Sequence, residues 1–365
     1  MKATGVIAEF NPMHQGHRFL LEKIRQTVKP DVLIVIMSTW FSSRGLPCLE
    51  SVETRTRLAL QAGADLVIAL PVPYTMQSAD YFALYSIEAL KTAQVNLLCF
   101  GSESADLALL EENSRQVSTL KANPATSQAR NAARQVLVAR PNDILAMQYI
   151  RYAREFGIEC HPILRDQSLK SATQTRIDYF NGVFQEEDHL FEKEQRLENY
   201  YPLIRYILLE SDPKWLASLF LVDEGIENRL IQAARTCTRW QDFLACTISK
   251  TYSKARIQRT CMMILLQIPK KEMKKHDSFF QIQVLGFNPA GQKWLKSLPK
   301  GTPIATRFRE LPGYLQNWEL KASRLYSLVG QKEYAWKVVI ERDPSGIKAA
   351  TRPDEAGHDE VEQPE

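Results

Sequence analysis

Five short runs rich in Val, Ile and Leu recur through the first half of the chain. Stretches of helical character separate them, and this alternation constrains the fold more than any other feature. The runs are Gly5–Phe10, Val32–Met37, Asp65–Leu70, Leu97–Phe100 and Ile158–Leu164. Helices are predicted near residues 15–27, 51–62, 77–92 and 142–156, the last led in by Pro141-Asn142. Strand–helix–strand alternation requires crossovers, which make a parallel sheet covered by helices on both faces. From about residue 185 the pattern becomes helix after helix, with Glu224–Ala234, Trp240–Thr247 and Lys254–Leu266 as clear candidates. Strand-like Gln281–Phe287, Pro303–Arg307 and Lys337–Glu341 follow. The predicted class is α/β: a Rossmann-like doubly wound parallel sheet over residues 1–185, then a mostly helical second domain with a small β element over 186–342. Residues 343–365, rich in Pro, Gly and acids, are expected to be a disordered tail.

A chain of 365 residues with 45% hydrophobic and 24% charged residues can bury a sizeable core. No apolar run reaches the length needed to cross a bilayer, and no signal-peptide pattern precedes the first strand. A cytoplasmic protein with no membrane partner is expected. Cys48, Cys99, Cys160, Cys237, Cys246 and Cys261 form no C-x-x-C pair, so neither a zinc ribbon nor a dithiol site is indicated, and no metal ligands are assigned. The net charge of +4 is uneven: the last fifteen residues carry six acids and one arginine, leaving 45 basic residues against 36 acidic ones in the rest. That body attracts a polyanion.

The densest chemistry lies in Asn11-Pro12-Met13-His14-Gln15-Gly16-His17, where the first strand hands over to a helix. Helix N-termini in open α/β sheets bind phosphates, a glycine lets backbone approach them, and His14 and His17 can donate N–H groups to charge that develops on phosphorus. Two solvent-facing histidines are the plainer alternative. No G-x-x-x-x-G-K-[ST] or G-x-G-x-x-G loop is present. Ser171-Ala172-Thr173-Gln174-Thr175-Arg176 reads as a capped helix start that sets Arg176 toward a phosphate or, as spacing alone favours, toward solvent. Phe100-Gly101-Ser102-Glu103 ends the fourth strand, where Gly101 could admit a ligand ring or simply make a turn. Arg44, after the second strand, could hold a phosphate or carboxylate or be a loop arginine. Lys250, Lys254, Arg256 and Arg259, with Tyr252 among them and Lys270-Lys271 and Lys274-Lys275 beyond, suit a nucleic-acid backbone or a solvated helix face.

In order and spacing, these residues resemble the tRNA(Met) cytidine acetate ligase family of the H-x-G-H nucleotidyltransferase-like superfamily. The resemblance runs through GVIAEFNPMHQGH, GADLVIALPVPYTMQSADYFA, CFGSES, RPNDILAMQYI, SATQTRI, EGIENRL, ARIQR and VLGFNPAGQKWL, almost to residue 330. It implies a nucleotidyltransferase-like fold and a two-step ligase. ATP and acetate would form acetyl-adenylate, and the wobble cytidine of elongator tRNA(Met) would take the acetyl group. It implies ATP contacts along Ile7, Ala8, Glu9, Phe10, Asn11, Pro12, Met13, His14, Gln15, Gly16, His17, Arg18, Phe19 and Leu20, and at Gly101, Asn142, Thr175 and Arg176. His14, His17 and Arg176 would act on the phosphates. Arg44, Lys250, Lys254, Arg256 and Arg259 would meet tRNA. Mg2+ is compatible with ATP chemistry, although no carboxylate cluster specifies it.

The chain departs from the family in the loop after the second strand, where G-x-F-x-Q-R-G-E-P is usual. Ser43 stands for the glutamine and Leu46 for the glutamate, and Val52 stands where a lysine is common. Arg55 and Arg57 are candidates to replace that lost cation. A small-molecule nucleotidyltransferase and a non-catalytic RNA-binding relative are the alternative readings.

Overall fold

A computed structural model describes residues 2–119, 141–184, 189–334 and 336–341. The expected boundary at 185–186 and the acidic tail from 343 lie outside the described residues.

Five strands, β1 (Ala3–Ala8), β2 (Val32–Ser38), β3 (Leu66–Leu70), β4 (Leu97–Ser102) and β5 (Glu159–Leu164), form a parallel sheet in the order β5-β4-β1-β2-β3. All seven residues of β2 and all five of β3 are buried, which is why their sequences read as unbroken apolar runs rather than alternating ones. The crossovers contain α1 (Gln15–Thr27), α2 (Val52–Gln61), α3 (Val72–Thr75), α4 (Ala79–Thr92), α5 (Leu107–Thr119) and α6 (Pro141–Glu155). The first two crossovers step outward from β1 to β3. The third returns to pair β4 with the other side of β1. Right-handed crossovers that advance in opposite directions put their helices on opposite faces. The strand order reverses between β1 and β4, and an open sheet of this kind has its ligand crevice beyond the strand C-termini at that point.

After α7 (Ala172–Phe180) the chain runs through α8 (Leu197–Glu210), α9 (Pro213–Ala217), α10 (Ile226–Thr236), α11 (Trp240–Thr247), α12 (Lys254–Leu266) and α13 (Lys270–Lys275). It then returns to the sheet. β6 (Ile282–Phe287) lies antiparallel to β3, and short β7 (Ile304–Ala305) and β8 (Val339–Ile340) pair with β6. The small β element expected after the helices is therefore an extension of the first sheet, which is mixed rather than wholly parallel. An unpaired β3 would present a bare row of backbone donors and acceptors, and β6 covers them.

α14 (Pro289–Ser297) and α15 (Gly313–Gly330) complete the order. α15 ties the C-terminal part to the strand ends. The buried Glu319 carboxylate accepts hydrogen bonds from Thr39 Oγ1 at 3.1 Å, Trp40 Nε1 at 3.0 Å and Val72 N at 3.1 Å. Burial raises its pKa to about 7. One turn-pair further on, the Tyr326 hydroxyl donates to Cys48 O at 2.8 Å.

Candidate active site at the switch point of the sheet

Beyond β1 the chain is held by hydrogen bonds to residues 47–50, in the loop after β2. Asn11 Oδ1 accepts from Leu49 N at 3.0 Å, Asn11 Nδ2 donates to Pro47 O at 3.3 Å, and Met13 N donates to the Glu50 carboxylate at 3.2 Å. Phe10 is buried with φ at 46°, a conformation bulky residues seldom adopt. These constraints fix His14 in an extended conformation as the N-cap of α1, where its Nδ1 accepts from Gly16 N at 3.0 Å. A Cβ at Gly16 would lie 2.8 Å from the His14 ring, so only glycine fits between the two histidines.

The cap sets the chemistry of His14. Because Nδ1 accepts, the proton of the neutral ring sits on Nε2, which is then a donor. Burial, with the Arg165 charge nearby, lowers its pKa to about 4. The His17 ring lies 3.8 Å from that of His14 and meets Phe10 edge-on at 4.9 Å. Its Nδ1 is buried with no hydrogen-bond partner. Burial, then the neighbouring His14 and Arg165, hold its pKa well below the usual histidine range. Both imidazoles are therefore neutral at pH 7. They can donate to an anion at the N-terminus of α1 without carrying charge themselves.

The expected residues are distributed around this pair. Ile7 and Ala8 end β1, half-buried; Asn11, Pro12 and Met13 are buried; Gln15 is exposed; Arg18, Phe19 and Leu20 are half-buried on α1. The Glu9 carboxylate accepts from Ser43 N, and burial raises its pKa. Gly101 sits on β4, where a Cβ would lie 3.1 Å from Arg165 Cγ. Asn142, in the first turn of α6, donates to the Glu103 carboxylate, which also accepts from Asp143 N at 3.1 Å. Thr175 is buried, its hydroxyl bonded to Ser171 O at 3.1 Å. Arg176 Nη1 donates to Asn11 Oδ1 at 2.7 Å and Pro47 O at 3.1 Å, and burial lowers its pKa to about 10. β1, β4, α6 and α7 thus all deliver polar groups to one edge of the sheet.

Arg165 escaped the sequence reading. It follows β5, pairs with Glu103 at 3.4 Å and influences both histidines. The strand-end rule that singled out Gly101 on β4 applies equally to the end of β5 and would have found it.

The lost cation is not replaced by Arg55 or Arg57, contrary to expectation. Arg55 is fully buried, donating to Glu50 O at 3.1 Å, Glu9 O and Ser38 O at 2.8 Å each, and Thr39 O. It satisfies carbonyls where β1 and β2 end and cannot reach a ligand. Arg57 is exposed and pairs with Glu53, one turn back on the same helix, at 2.9 Å. Val52 is buried in the core and Leu46 packs partly against it, so both substitutions are apolar residues in apolar surroundings.

The basic residues divide in the same way. Arg44, Lys250 and Lys254 are exposed. Arg256 lies 5.0 Å over the Tyr252 ring and pairs with Glu224 at 3.1 Å. Arg259 turns inward, with Nη1 3.3 Å from Ser43 O and its pKa lowered to about 10 by burial. Lys270 is taken up by Ala217 O at 2.6 Å, Val222 O at 2.7 Å and Asp223 at 2.8 Å. Among the described residues no three His, Cys, Asp or Glu side chains group as a metal site, and no helix is long and apolar enough to cross a membrane.

Comparison with known proteins places the chain in a family. The sequence matches the HIGH Nucleotidyl Transferase family over residues 1–338. It is 31% identical to a tRNA(Met) cytidine acetate ligase of Listeria monocytogenes, covering 90% of this chain and 95% of that one. It is 32% identical to one of Limosilactobacillus reuteri, covering 90% and 96%. The crystal structure of Thermotoga maritima TmcAL bound with alpha-thio ATP superposes with a TM-score of 0.83 at 25% identity, covering 94% of this chain and all of that one. The chain belongs to the HIGH nucleotidyl transferase family and is similar over most of its length to proteins named tRNA(Met) cytidine acetate ligase.

Proposed function

We propose that this protein is an ATP-dependent acetate ligase that forms acetyl-adenylate and passes the acetyl group to the wobble cytidine of elongator tRNA(Met). The observation that carries the reading is the neutral His14–His17 pair at the start of α1, beyond the switch point of the sheet. It is supported by relatives of that name and by the ATP analogue bound to the Thermotoga maritima protein. In the first step an acetate oxygen attacks the α-phosphorus and the bond to the β-phosphate oxygen breaks, releasing pyrophosphate. The barrier falls mainly through positioning and stabilisation of charge on phosphoryl oxygens. His14 Nε2–H and the His17 ring supply neutral donors, and the N-terminal amides of α1 add a favourable dipole. Arg176 reaches Asn11 and Pro47 through Nη1, which leaves Nε and Nη2 to face the departing pyrophosphate. In the second step the cytidine amine attacks the acetyl carbonyl, AMP leaves with the bonding electrons, and the amine loses a proton.

ATP would lie along residues 7–20, with Gly101, Asn142 and Thr175 at its edges. The exposed Arg44, Lys250 and Lys254, with Arg256, would meet tRNA. Glu9, Glu50 and Glu103 are engaged by backbone or side-chain donors, so these three carboxylates are not free to ligate Mg2+. A cation accompanying ATP would be held by phosphates.

Labelled acetate incubated with protein, ATP and bulk tRNA tests the proposal. Label should enter elongator tRNA(Met) only when ATP is present. Nucleotide transfer to a small phosphorylated molecule without tRNA, or tRNA binding with no pyrophosphate released, would replace this reading. His17→Ala should cost about 2–4 kcal/mol of transition-state stabilisation, as removal of one oxyanion donor does. Pyrophosphate release at the wild-type rate would remove His17 from the mechanism.

A further inference from the structure

Around the C-terminus of α7, Ile177 is 48%, Val183 55% and Phe184 68% exposed. Apolar side chains clustered on a surface in this way mark a binding site more often than singly scattered ones do. Of these, Phe184 lines an open cleft of about 450 Å3, shared in part with Tyr179 and Phe180 on one side and Lys193, Glu194 and Arg196 on the other. That volume is in the usual range for a small-molecule site and has room for one nucleoside.

The rings form a cluster of edge contacts. Tyr179 meets Phe180 at 5.2 Å, Phe184 at 5.7 Å and Phe191 at 5.1 Å, each time edge to face. Its hydroxyl is 3.4 Å from Phe191 O, which orients the ring. Phe180 is flanked by the guanidiniums of Arg176 at 5.7 Å and Arg196 at 5.2 Å, a cationic setting for a platform that reaches solvent beside it. Phe184 is the ring with the most open surface. At the rim, Lys193, 82% exposed, and Glu194 form a surface pair at 3.8 Å, weak enough for the ammonium to turn to a phosphate and the carboxylate to a base amine. Aromatic faces beside cations and a few polar edges are what an unstacked base of single-stranded RNA requires. An acidic peptide would use the cations but leave the ring faces uncovered.

Position supplies the second argument. Arg176 and Phe180 are one helical turn apart on α7, and Arg176 is braced against Asn11 of the H-x-G-H loop. The pocket therefore begins one helical turn from the residue that braces the H-x-G-H loop. We infer that the Tyr179–Phe180–Phe184 pocket takes an unstacked nucleobase of the RNA substrate, flanking the base that is modified. The assignment rests on the acetate ligase reading for its substrate.

The full chain tests it with two separate measurements. The first is fluorescence anisotropy of labelled oligocytidylate in the absence of ATP. The second is pyrophosphate release from ATP and acetate in the absence of RNA. Phe184→Ala should weaken oligocytidylate binding about 5- to 100-fold, the range for losing one base–aromatic stack. Phe184→Tyr should restore it, and pyrophosphate release should be unchanged in both variants. Wild-type affinity in Phe184→Ala overturns the inference, as does equal wild-type affinity for blunt duplex RNA. So does an oligomer of the protein alone that dissociates in Phe184→Ala while RNA binding holds. Absence of pyrophosphate release from the wild type would sink the ligase reading instead, and the RNA measurement would still decide the pocket.

Discussion

Protonating His14 works against folding, and the amount can be worked out. The folded ring titrates at about 4, against 6.5 for an unperturbed histidine. Between those values the unfolded chain binds more protons, so the His14 contribution is complete above pH 6.5 and is lost as pH falls toward 4. Over the interval from about pH 7.5 to about pH 4.5 the linkage amounts to about 2.5 kcal/mol, an upper value because the ring is only half-buried. Glu88 and Glu319 act in the opposite sense. Burial raises each from 4.5 to about 7, so their contributions are complete below 4.5 and are lost as pH rises through 7. In the wild type these terms would mask the histidine. The difference between wild type and His14→Gln removes them, because both proteins share the carboxyls and only one has the imidazole. Urea unfolding at the two pH values should show wild type losing about 2.5 kcal/mol relative to His14→Gln on acidification, on top of a constant offset for the lost cap. A gap that does not change with pH would mean that the folded ring titrates normally. It would also remove the argument that the phosphate meets neutral donors.

Four other outcomes concern Arg55, Glu319, the pair Lys250 and Lys254, and Arg259. Arg55→Met should cost at least about 4 kcal/mol in urea unfolding, because buried carbonyls at the ends of β1 and β2 lose their donor; a loss under about 2 kcal/mol would show that water replaces the guanidinium. Relative to Glu319→Gln, the wild type should lose about 3 kcal/mol as pH rises from about 4.5 to about 7.5, and parallel pH profiles would contradict a carboxyl raised by burial. Lys250→Ala and Lys254→Ala should each flatten the salt dependence of tRNA binding by about one unit of log–log slope and leave stability alone. Arg259→Ala should instead lower stability, and the reverse pattern would mean that Arg259 faces the RNA.

How much of this was readable in advance depended on whether a contact uses side-chain type or backbone. The parallel strands were legible because β2 and β3 are buried throughout, and uninterrupted apolar runs of that length have few other uses. α1 and α12 began where predicted, at His14 and Ser253, whose side chains cap them. The pairing of β6 with β3 was not legible. Gln281–Phe287 announces a strand, but nothing local says that its partner lies more than two hundred residues earlier. At the site, the two histidines and their glycine stood out as residue types. Arg55 did not, because a fully buried arginine bonded to four main-chain oxygens looks in sequence like any helix-surface cation.

The loop after β2 shows why residue identity misleads there. Its divergent positions suggest lost function, yet its known anchors are main-chain groups. Ser43 N donates to Glu9, Ser43 O accepts from Arg259, and Pro47 O accepts from both Asn11 and Arg176. Gly45, at φ 73°, lies against the backbone of Gln258 and Arg259 on α12, where a Cβ would come within 2.8 Å of Arg259 N. None of these contacts depends on the side chains at positions 43 and 46, but each depends on the path of the loop. That path runs from the carboxylate beside the H-x-G-H segment to the helix that carries Lys254 and Arg256. A shift of the loop at either end therefore has to move Ser43, and with it a bond at the other end. A ligand that shifted this peptide from one surface would change affinity at the other, and the effect would then be reciprocal.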